Sequence, residues 1–122
     1  IYKALVSGEF YGEKILETFL RPYGPNGQKM VLGNEKNGEK AKLQIINSEY
    51  LKEIDKTLLT IKLHQGLRHQ IRAQLSMAGH AIVGDEVYGG IQYKRLCLHA
   101  YKYTFDFKNK EYCFQSDLFN FQ

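Results

Sequence analysis

The sequence contains no tryptophan and only two prolines, two methionines and two cysteines. No apolar run approaches the ~18 residues that a membrane-spanning helix needs, and the first ten residues lack the layout of a signal peptide. Cys97 and Cys113 are too few for a disulfide framework or a metal motif, so we expect both to be reduced and Cys97 to be a small core residue. These absences predict a cytoplasmic protein that does not enter a membrane.

Motifs of the common catalytic sites are also missing. The chain has no HExxH, no CxxC and no glycine-rich phosphate loop, and its four histidines lack the spacing of metal ligands. Its serines do not stand in a nucleophile-elbow pattern. We therefore expect neither a metal nor an organic cofactor.

The chain does contain enough apolar material for one core. Of its 122 residues, 43% are hydrophobic and 25% are charged, and a compact chain of this size buries roughly two-thirds of its unfolded surface. This composition predicts one domain or a part of one. Because the sequence opens with Ile1 directly on a strand-like run, we expect it to be a piece of a longer protein.

The net charge of +4 is concentrated in one region. Residues 56–102 hold seven basic and two acidic side chains, a net charge of +5, together with all four histidines. The rest of the chain holds ten basic and eleven acidic side chains, a net charge of −1. This asymmetry favours a surface that faces phosphates.

Hydrophobic periodicity predicts many strands and one helix. Strands are predicted at residues 1–8, 14–24, 28–33, 42–51, 57–63, 97–107 and 111–115. The run 57–63 gives the clearest signal, because Leu59, Ile61 and Leu63 alternate with polar residues as in a half-buried strand. The fold class is therefore α+β, with a mixed, mainly antiparallel sheet.

The predicted helix extends from about Arg68 to Ala78. Ile71, Leu75 and Ala78 recur at helical spacing, and Gly79 stands where a glycine commonly ends a helix. The sequence GLRHQIRAQL, residues 66–75, crowds cations into the start of this helix.

In that stretch Arg68, Arg72 and Ser76 share one stripe of the helix, and His69 lies one turn from Arg72. Arg72 is well placed for a bidentate contact with a carboxylate or a phosphate, which a lysine could not reproduce. By spacing alone, an ordinary solvated helix face is a serious alternative.

The run GLRHQIRAQLSMAGHAIVGDEVYGG, followed by RLCLHAYKYTF, resembles the C-terminal half of the RluA-type pseudouridine synthase family. That family has G-[RF]-[TSR]-H-Q-I-R-x-H-L, then G-H-P-I-x-G-D-x-x-Y-G, then R-x-x-L-H-A, and YKALVSG is similar to its Y-x-A-x-V-x-G strand. The resemblance covers nearly the whole chain in order and implies a pseudouridine synthase catalytic fold. The chain departs from the pattern at Leu67, Arg68, Gln74 and Ala81.

One family motif is absent from these 122 residues. Members of the family carry the catalytic aspartate in H-R-L-D-x-x-T-S-G, some thirty residues before the tyrosine that Tyr2 resembles. The resemblance therefore implies that residues 1–122 are the C-terminal portion of a single catalytic domain, and that this portion alone is inactive. Such a portion is also expected to self-associate, because missing strands leave unpaired edges.

The resemblance implies that the complete protein converts uridine in ribosomal or transfer RNA to its C-glycoside isomer, without a metal or organic cofactor. It implies that Arg72 keeps the catalytic aspartate ionised and oriented. It also implies that Tyr2 packs on the flipped uracil and that Leu98 lines the other side of the base. Further candidates for contact with RNA are Arg68, His69, Gln70, Lys94 and Arg95.

Several alternatives stay open at the level of sequence. His69 and Gln70 are equally well interpreted as scaffolding for the helix start, and Lys94 and Arg95 as solvated charges. The segment GDEVYGG is predicted to form a turn that supports the site, with Asp85 as a candidate partner for a nearby cation. For the protein as a whole, the alternatives are a non-catalytic RNA-binding module and a basic domain with a protein partner.

Overall fold

The computed structural model describes residues 1–64, 66–67 and 69–100, and it describes the backbone alone of residues 102–107 and 110–115. These residues form eight strands and one helix. In chain order the elements are β1 (Tyr2–Ser7), β2 (Ile15–Tyr23), β3 (Lys29–Leu32), β4 (Glu39–Leu51), β5 (Lys56–Leu63), α1 (Gln70–Met77), β6 (Leu98–Ala100), β7 (Lys102–Phe107) and β8 (Lys110–Gln115).

Six of the strands form one sheet in the order β3-β2-β4-β5-β1-β6, and β7 and β8 pair separately. Every strand pair in the described part of the chain is antiparallel. The predicted pair of residues 42–51 and 57–63 is present as β4 and β5, with one irregularity between Ile45 and Asn47. The prediction of an α+β fold with a mainly antiparallel sheet and one helix is confirmed.

The core lies between the sheet and α1. Leu59 and Ile61 of β5 are fully buried, as their alternation predicts, and they belong to one cluster with Ile71 and Leu75 of the helix. Cys97 is also fully buried in this cluster. Removal of this apolar surface from water is the main force that seats the helix on the sheet.

The helix is shorter than the sequence predicts, because it begins at Gln70 rather than near Arg68. His69 precedes it with φ 54° and ψ 21°, a left-handed conformation that cannot continue a right-handed helix. The C-terminal end matches the prediction. Gly79 has φ 84°, and its N–H donates to the Ser76 carbonyl oxygen while the N–H of His80 donates to that of Leu75.

The segment after the helix departs from the sequence prediction in one respect. The single strand expected at residues 97–107 is divided between two sheets, with β6 beside β1 and β7 beside β8. The side chains of residues 101–107 lie outside the described part of the chain. Residues 80–97 contain no named strand, and Ile82 makes one isolated bridge to Val6.

Among the described residues, no helix has the length and apolarity needed to cross a membrane.

Candidate functional site

A cavity of about 280 Å³ opens where the start of α1 meets strands β1 and β6. Five residues that the sequence singled out line it: Tyr2, His69, Gln70, Arg72 and Leu98. The remaining lining residues are apolar: Leu63, Leu67, Ile71 and Leu96. Residues far apart in the chain therefore meet at one largely apolar pocket with a guanidinium in its wall.

The sheet register explains why Tyr2 and Leu98 share this pocket. Strand β6 pairs with β1 so that Leu98 lies opposite Ala4 and Ala100 lies opposite Tyr2. Side chains two residues apart on a strand point to the same face, so Tyr2, Ala4 and Leu98 all face α1. The short strand β6 thus brings an apolar side chain beside the tyrosine.

Arg72 makes a bidentate ion pair with Asp85. Its Nε donates to Oδ2 and its Nη2 donates to Oδ1, both at 2.9 Å. The Asp85 side chain is 0% exposed and that of Arg72 is 18% exposed. The hydrogen bonds to Asp85 raise the pKa of Arg72 above its ordinary value. A buried carboxylate that accepts two parallel N–H groups fixes the plane of the guanidinium.

Backbone groups of the GDEVYGG segment position Asp85. The Gly90 N–H donates to the Asp85 carbonyl oxygen at 2.7 Å, and the Tyr88 N–H donates to Asp85 Oδ1 at 3.3 Å. Gly84 has φ 84°, and a Cβ there would collide with the Arg95 carbonyl oxygen. The prediction that this segment is a turn with Asp85 paired to a cation is confirmed by this geometry.

Tyr88 connects this turn to the start of the helix. Its hydroxyl accepts the Met30 N–H at 2.9 Å and lies 3.1 Å from His69 Nδ1. Its ring lies 5.3 Å from Arg72 Cζ, within cation–π distance, and its carbonyl oxygen accepts the Ser76 hydroxyl at 2.7 Å. One buried tyrosine therefore contacts both His69 and Arg72 of the cavity wall.

Gln70 lines the cavity but its amide group is used within the fold. Its Nε2 donates to the Lys42 carbonyl oxygen at 3.0 Å and to Gln74 Oε1 at 3.1 Å, and its Oε1 accepts the Leu67 N–H at 3.3 Å. The residue is 2% exposed. These contacts favour the scaffolding interpretation of Gln70, which the sequence left open.

The other residues predicted to contact RNA either do not line the cavity or lie outside the described residues. Arg68 lies outside the described residues. Lys94 and Arg95 are exposed on the loop before β6, and neither is among the described residues that line the cavity. Sequence reasoning assigned no role in the site to Leu63, Leu67, Ile71 or Leu96. Alternation between Leu96 and Leu98 was the one signal that could have placed Leu96 there.

Within the part of the chain that the structure describes, no three histidine, cysteine, aspartate or glutamate side chains gather as a metal-binding group. The polar groups that line the cavity include the guanidinium of Arg72, the imidazole of His69 and the phenol of Tyr2, and the rest of its wall is mainly apolar. Such a site suits a flat, partly polar molecule with an anionic neighbour.

The chain is similar to proteins named as RNA pseudouridine synthases. It is 34% identical over 112 residues to an uncharacterized RNA pseudouridine synthase of Mycoplasma genitalium, a match that covers 85% of this chain and 35% of that protein. It is 28% identical over 110 residues to the ribosomal large subunit pseudouridine synthase D of Zymomonas mobilis, covering 81% of this chain and 34% of that protein. The chain thus spans about a third of the length of these curated relatives. No protein-family model matches it.

The fold has a counterpart among solved structures. The human RNA pseudouridylate synthase domain containing 1 superposes with a TM-score of 0.71 at 20% identity, covering 94% of this chain and 52% of that one. The fold is accordingly that of a pseudouridine synthase domain. The sequence matches and the shared fold agree with the resemblance to RluA-type RNA pseudouridine synthases that the motifs indicate.

Proposed function

We propose that the complete protein isomerises uridine to pseudouridine in RNA, and that residues 1–122 supply the C-terminal portion of its catalytic domain. The observation that carries this proposal is the cavity in which Tyr2, Leu98 and Arg72 meet. Its combination of two apolar faces and one cation suits a nucleobase next to a catalytic carboxylate. A cytoplasmic location, as predicted from the sequence, fits an enzyme that acts on ribosomal or transfer RNA.

Tyr2 and Leu98 are proposed to sandwich the uracil. A base that leaves its RNA stack loses the stacking on both of its faces, and a phenol ring with an aliphatic side chain opposite replaces much of that contact. The two side chains lie on neighbouring strands and share a face of the sheet. Both side chains line the cavity, so each can contact a base that enters it.

Arg72 is proposed to hold the catalytic aspartate, which the family carries in a motif absent from this chain. The ion pair with Asp85 uses Nε and Nη2 of the guanidinium, so Nη1 is available to donate to a second carboxylate. In a water-poor pocket such a contact keeps a carboxylate ionised and oriented. Without that aspartate, this chain alone is proposed to be inactive.

Contacts to RNA outside the cavity are proposed for Arg68, Lys94 and Arg95. The support is the net charge of +5 in residues 56–102, which matches the phosphates flanking a flipped nucleotide. Both Lys94 and Arg95 are exposed next to Leu96 and Leu98, which line the cavity.

The test is substitution of Arg72 in the complete protein, with turnover followed by tritium release from RNA whose uridines are tritiated at C5. Arg72→Ala is expected to abolish isomerisation, a fall of at least ~10²-fold, because the aspartate loses its charge partner. Since Arg72→Ala also leaves Asp85 buried without a cation, Arg72→Lys is the more informative variant. Lysine keeps the charge but cannot reproduce the paired hydrogen bonds of the planar guanidinium, so turnover should still fall strongly in a folded protein.

Arg21→Ala is the matched control, because Arg21 lies on β2 beside Tyr23 and does not line the cavity. This variant is expected to retain turnover close to that of the wild type. Near-normal turnover in Arg72→Lys would contradict the proposed role of the guanidinium. Absence of tritium release from every uridine-containing RNA by the complete wild-type protein would contradict the proposed function.

A further inference from the structure

A second cavity, of about 580 Å³, adjoins the first one at the start of the helix. Leu67 lines both cavities. Two hydrogen bonds fix its backbone there, from the Leu67 N–H to Gln70 Oε1 at 3.3 Å and from the Gln70 N–H to the Leu67 carbonyl oxygen at 3.1 Å. The two cavities therefore share a wall, and a molecule longer than one nucleotide can occupy both.

The floor of the second cavity is apolar. Leu20 and Pro22 are two residues apart on β2 and point to the same face, and Met30 of β3 lies opposite Pro22 in the register. Leu20 and Met30 belong to one buried cluster with Ala73 of α1, so this face is the helix side of the sheet. A floor of this kind suits the flat face of a base, which loses its stacking when an RNA loop opens.

Two opposite charges stand at the edge of this floor. Glu39 begins β4 and lies opposite Leu20, so its side chain is also on the helix side, and Lys36 lines the cavity from the preceding loop. Both residues are exposed, and among the described residues neither has an ion-pair partner. Because the two charges do not pair with each other, each is available to a different group of one ligand.

The chemistry of these side chains restricts the ligand. An ionised carboxylate only accepts hydrogen bonds, so Glu39 requires a donor. The exocyclic amino groups of adenine, cytosine and guanine are such donors, whereas the carbonyl oxygens of uracil would face the carboxylate unfavourably. Lys36 suits the phosphate of the same nucleotide. The volume is about twice that of the first cavity, so the space is not limited to a pyrimidine.

We propose that the second cavity binds a base with an exocyclic amino group, on a nucleotide adjacent to the uridine in the first cavity. Glu39 accepts from the amino group, and Lys36 contacts the phosphate of that nucleotide. This inference rests on the proposed function, because the uridine in the first cavity places its neighbour at the second. Glu39 is then a residue that determines which uridines are chosen, and it takes no part in the isomerisation.

The first test varies the RNA. It uses the complete protein and an RNA hairpin that the wild type isomerises, identified by tritium release. Each nucleotide adjacent to the modified uridine is set to guanosine or inosine, adenosine or purine riboside, and cytidine or uridine, so that each pair differs by an amino group. At one of the two positions, loss of that group should lower kcat/KM roughly tenfold or more, because a hydrogen bond to a charged acceptor is lost. Equal kcat/KM within every pair would overturn the inference.

The second test changes Glu39 to glutamine. Glutamine keeps the size of the side chain, but its amide also donates, so RNAs with and without the amino group should be isomerised equally, within roughly twofold. Glu35→Gln is the matched control, because Glu35 is an exposed acid of the same loop that does not line the cavity, and it should keep the wild-type preference. Denaturation midpoints should show that both variants are folded. A wild-type preference in Glu39→Gln would overturn the inference.

The third test separates the phosphate contact from the base contact. In Lys36→Gln the slope of log K against log salt should fall by about one unit, whereas it should stay unchanged in Glu39→Gln and in the exposed control Lys52→Gln. An unchanged slope in Lys36→Gln would overturn the phosphate contact. If the wild type isomerises uridine without any preference at the adjacent positions, the inference fails while the proposed function stands.

Discussion

Two ion pairs on opposite faces of the sheet differ in how far they are buried, and therefore in how much each is expected to stabilise the fold. Arg72 and Asp85 pair on the helix side, where the carboxylate is 0% exposed. Lys40 and Glu17 pair at 2.8 Å on the outer face, where the side chains are 60% and 41% exposed. Lys40 points outward because its neighbour Ala41 packs on the helix side in one buried cluster with Ala73.

The two pairs have similar N–O distances but lie in different environments. On the outer face, water and salt weaken the attraction, and each long side chain loses conformational freedom. On the helix side, Asp85 has been removed from water and its two oxygens accept from Arg72 alone among the described side chains. The comparison predicts that loss of a partner is severe on the helix side and slight on the outer face.

The largest effect is expected from removal of one partner of the buried pair. Asp85→Ala in the complete protein should lower the free energy of unfolding by about 3–5 kcal/mol, because it leaves a partly buried guanidinium without its bidentate partner. Chemical denaturation measures this loss. Glu86→Ala is the matched control, since the next residue in the chain is exposed, and its effect should stay within about 0.5 kcal/mol. Equal losses in the two variants would contradict the comparison.

The partner of Arg72 shows where sequence reasoning succeeds and where it stops. Periodicity predicted β5 and α1 because side-chain burial repeats along one element. The pairing of Arg72 with Asp85 depends on the path of a loop that brings residue 85, thirteen residues later in the chain, back to the helix. The sequence therefore indicated Asp85 only as a candidate partner. Gln74 was not predicted to be buried, because its partners are carbonyl groups of β2 and β4, which leave no mark in the pattern of side chains.

The ends of the helix and of the last predicted strand could not be predicted for the same reason, because they depend on contacts that side-chain spacing does not record. The left-handed conformation of His69 shortens the helix, and hydrophobic spacing carries no information about it. Likewise, the division of residues 97–107 between β6 and β7 depends on which sheet each strand joins, whereas alternation records only that the chain is extended. The resemblance to a family singled out eight candidate site residues, and five of them line the cavity, while their roles stay predictions.

A loss of stability of intermediate size is expected when the buried, uncharged hydrogen bonds of Gln74 are removed. Gln74 is 1% exposed, and its Nε2 donates to the Ala41 carbonyl oxygen at 3.0 Å and to Thr18 Oγ1 at 3.1 Å. Gln74→Met keeps an unbranched side chain but leaves these buried acceptors without their donor. We expect a loss of about 1–3 kcal/mol in the free energy of unfolding.

The exposed Gln92→Met serves as the control for this change, because it alters the same side chain without burial. A double-mutant cycle of Gln70→Met with Gln74→Met isolates the hydrogen bond between the two amides. If Gln74→Met lowered the free energy of unfolding as much as Asp85→Ala does, the formal charge would not explain why loss of a partner is severe on the helix side and slight on the outer face.

The smallest effect is expected on the outer face, from Lys40→Ala. The hydrogen bond from Lys40 lowers the pKa of Glu17 below its ordinary value, so the pair stabilises the folded state above the pKa of unfolded glutamate. That contribution is lost as the pH falls through the folded pKa of Glu17. Denaturation midpoints of the wild type and Lys40→Ala should therefore differ little at neutral pH and moderate salt, and coincide at acidic pH. A difference that persists at acidic pH or in high salt would mean that Lys40 acts through packing of its aliphatic stem, and that exposure alone does not explain the contrast between the two pairs.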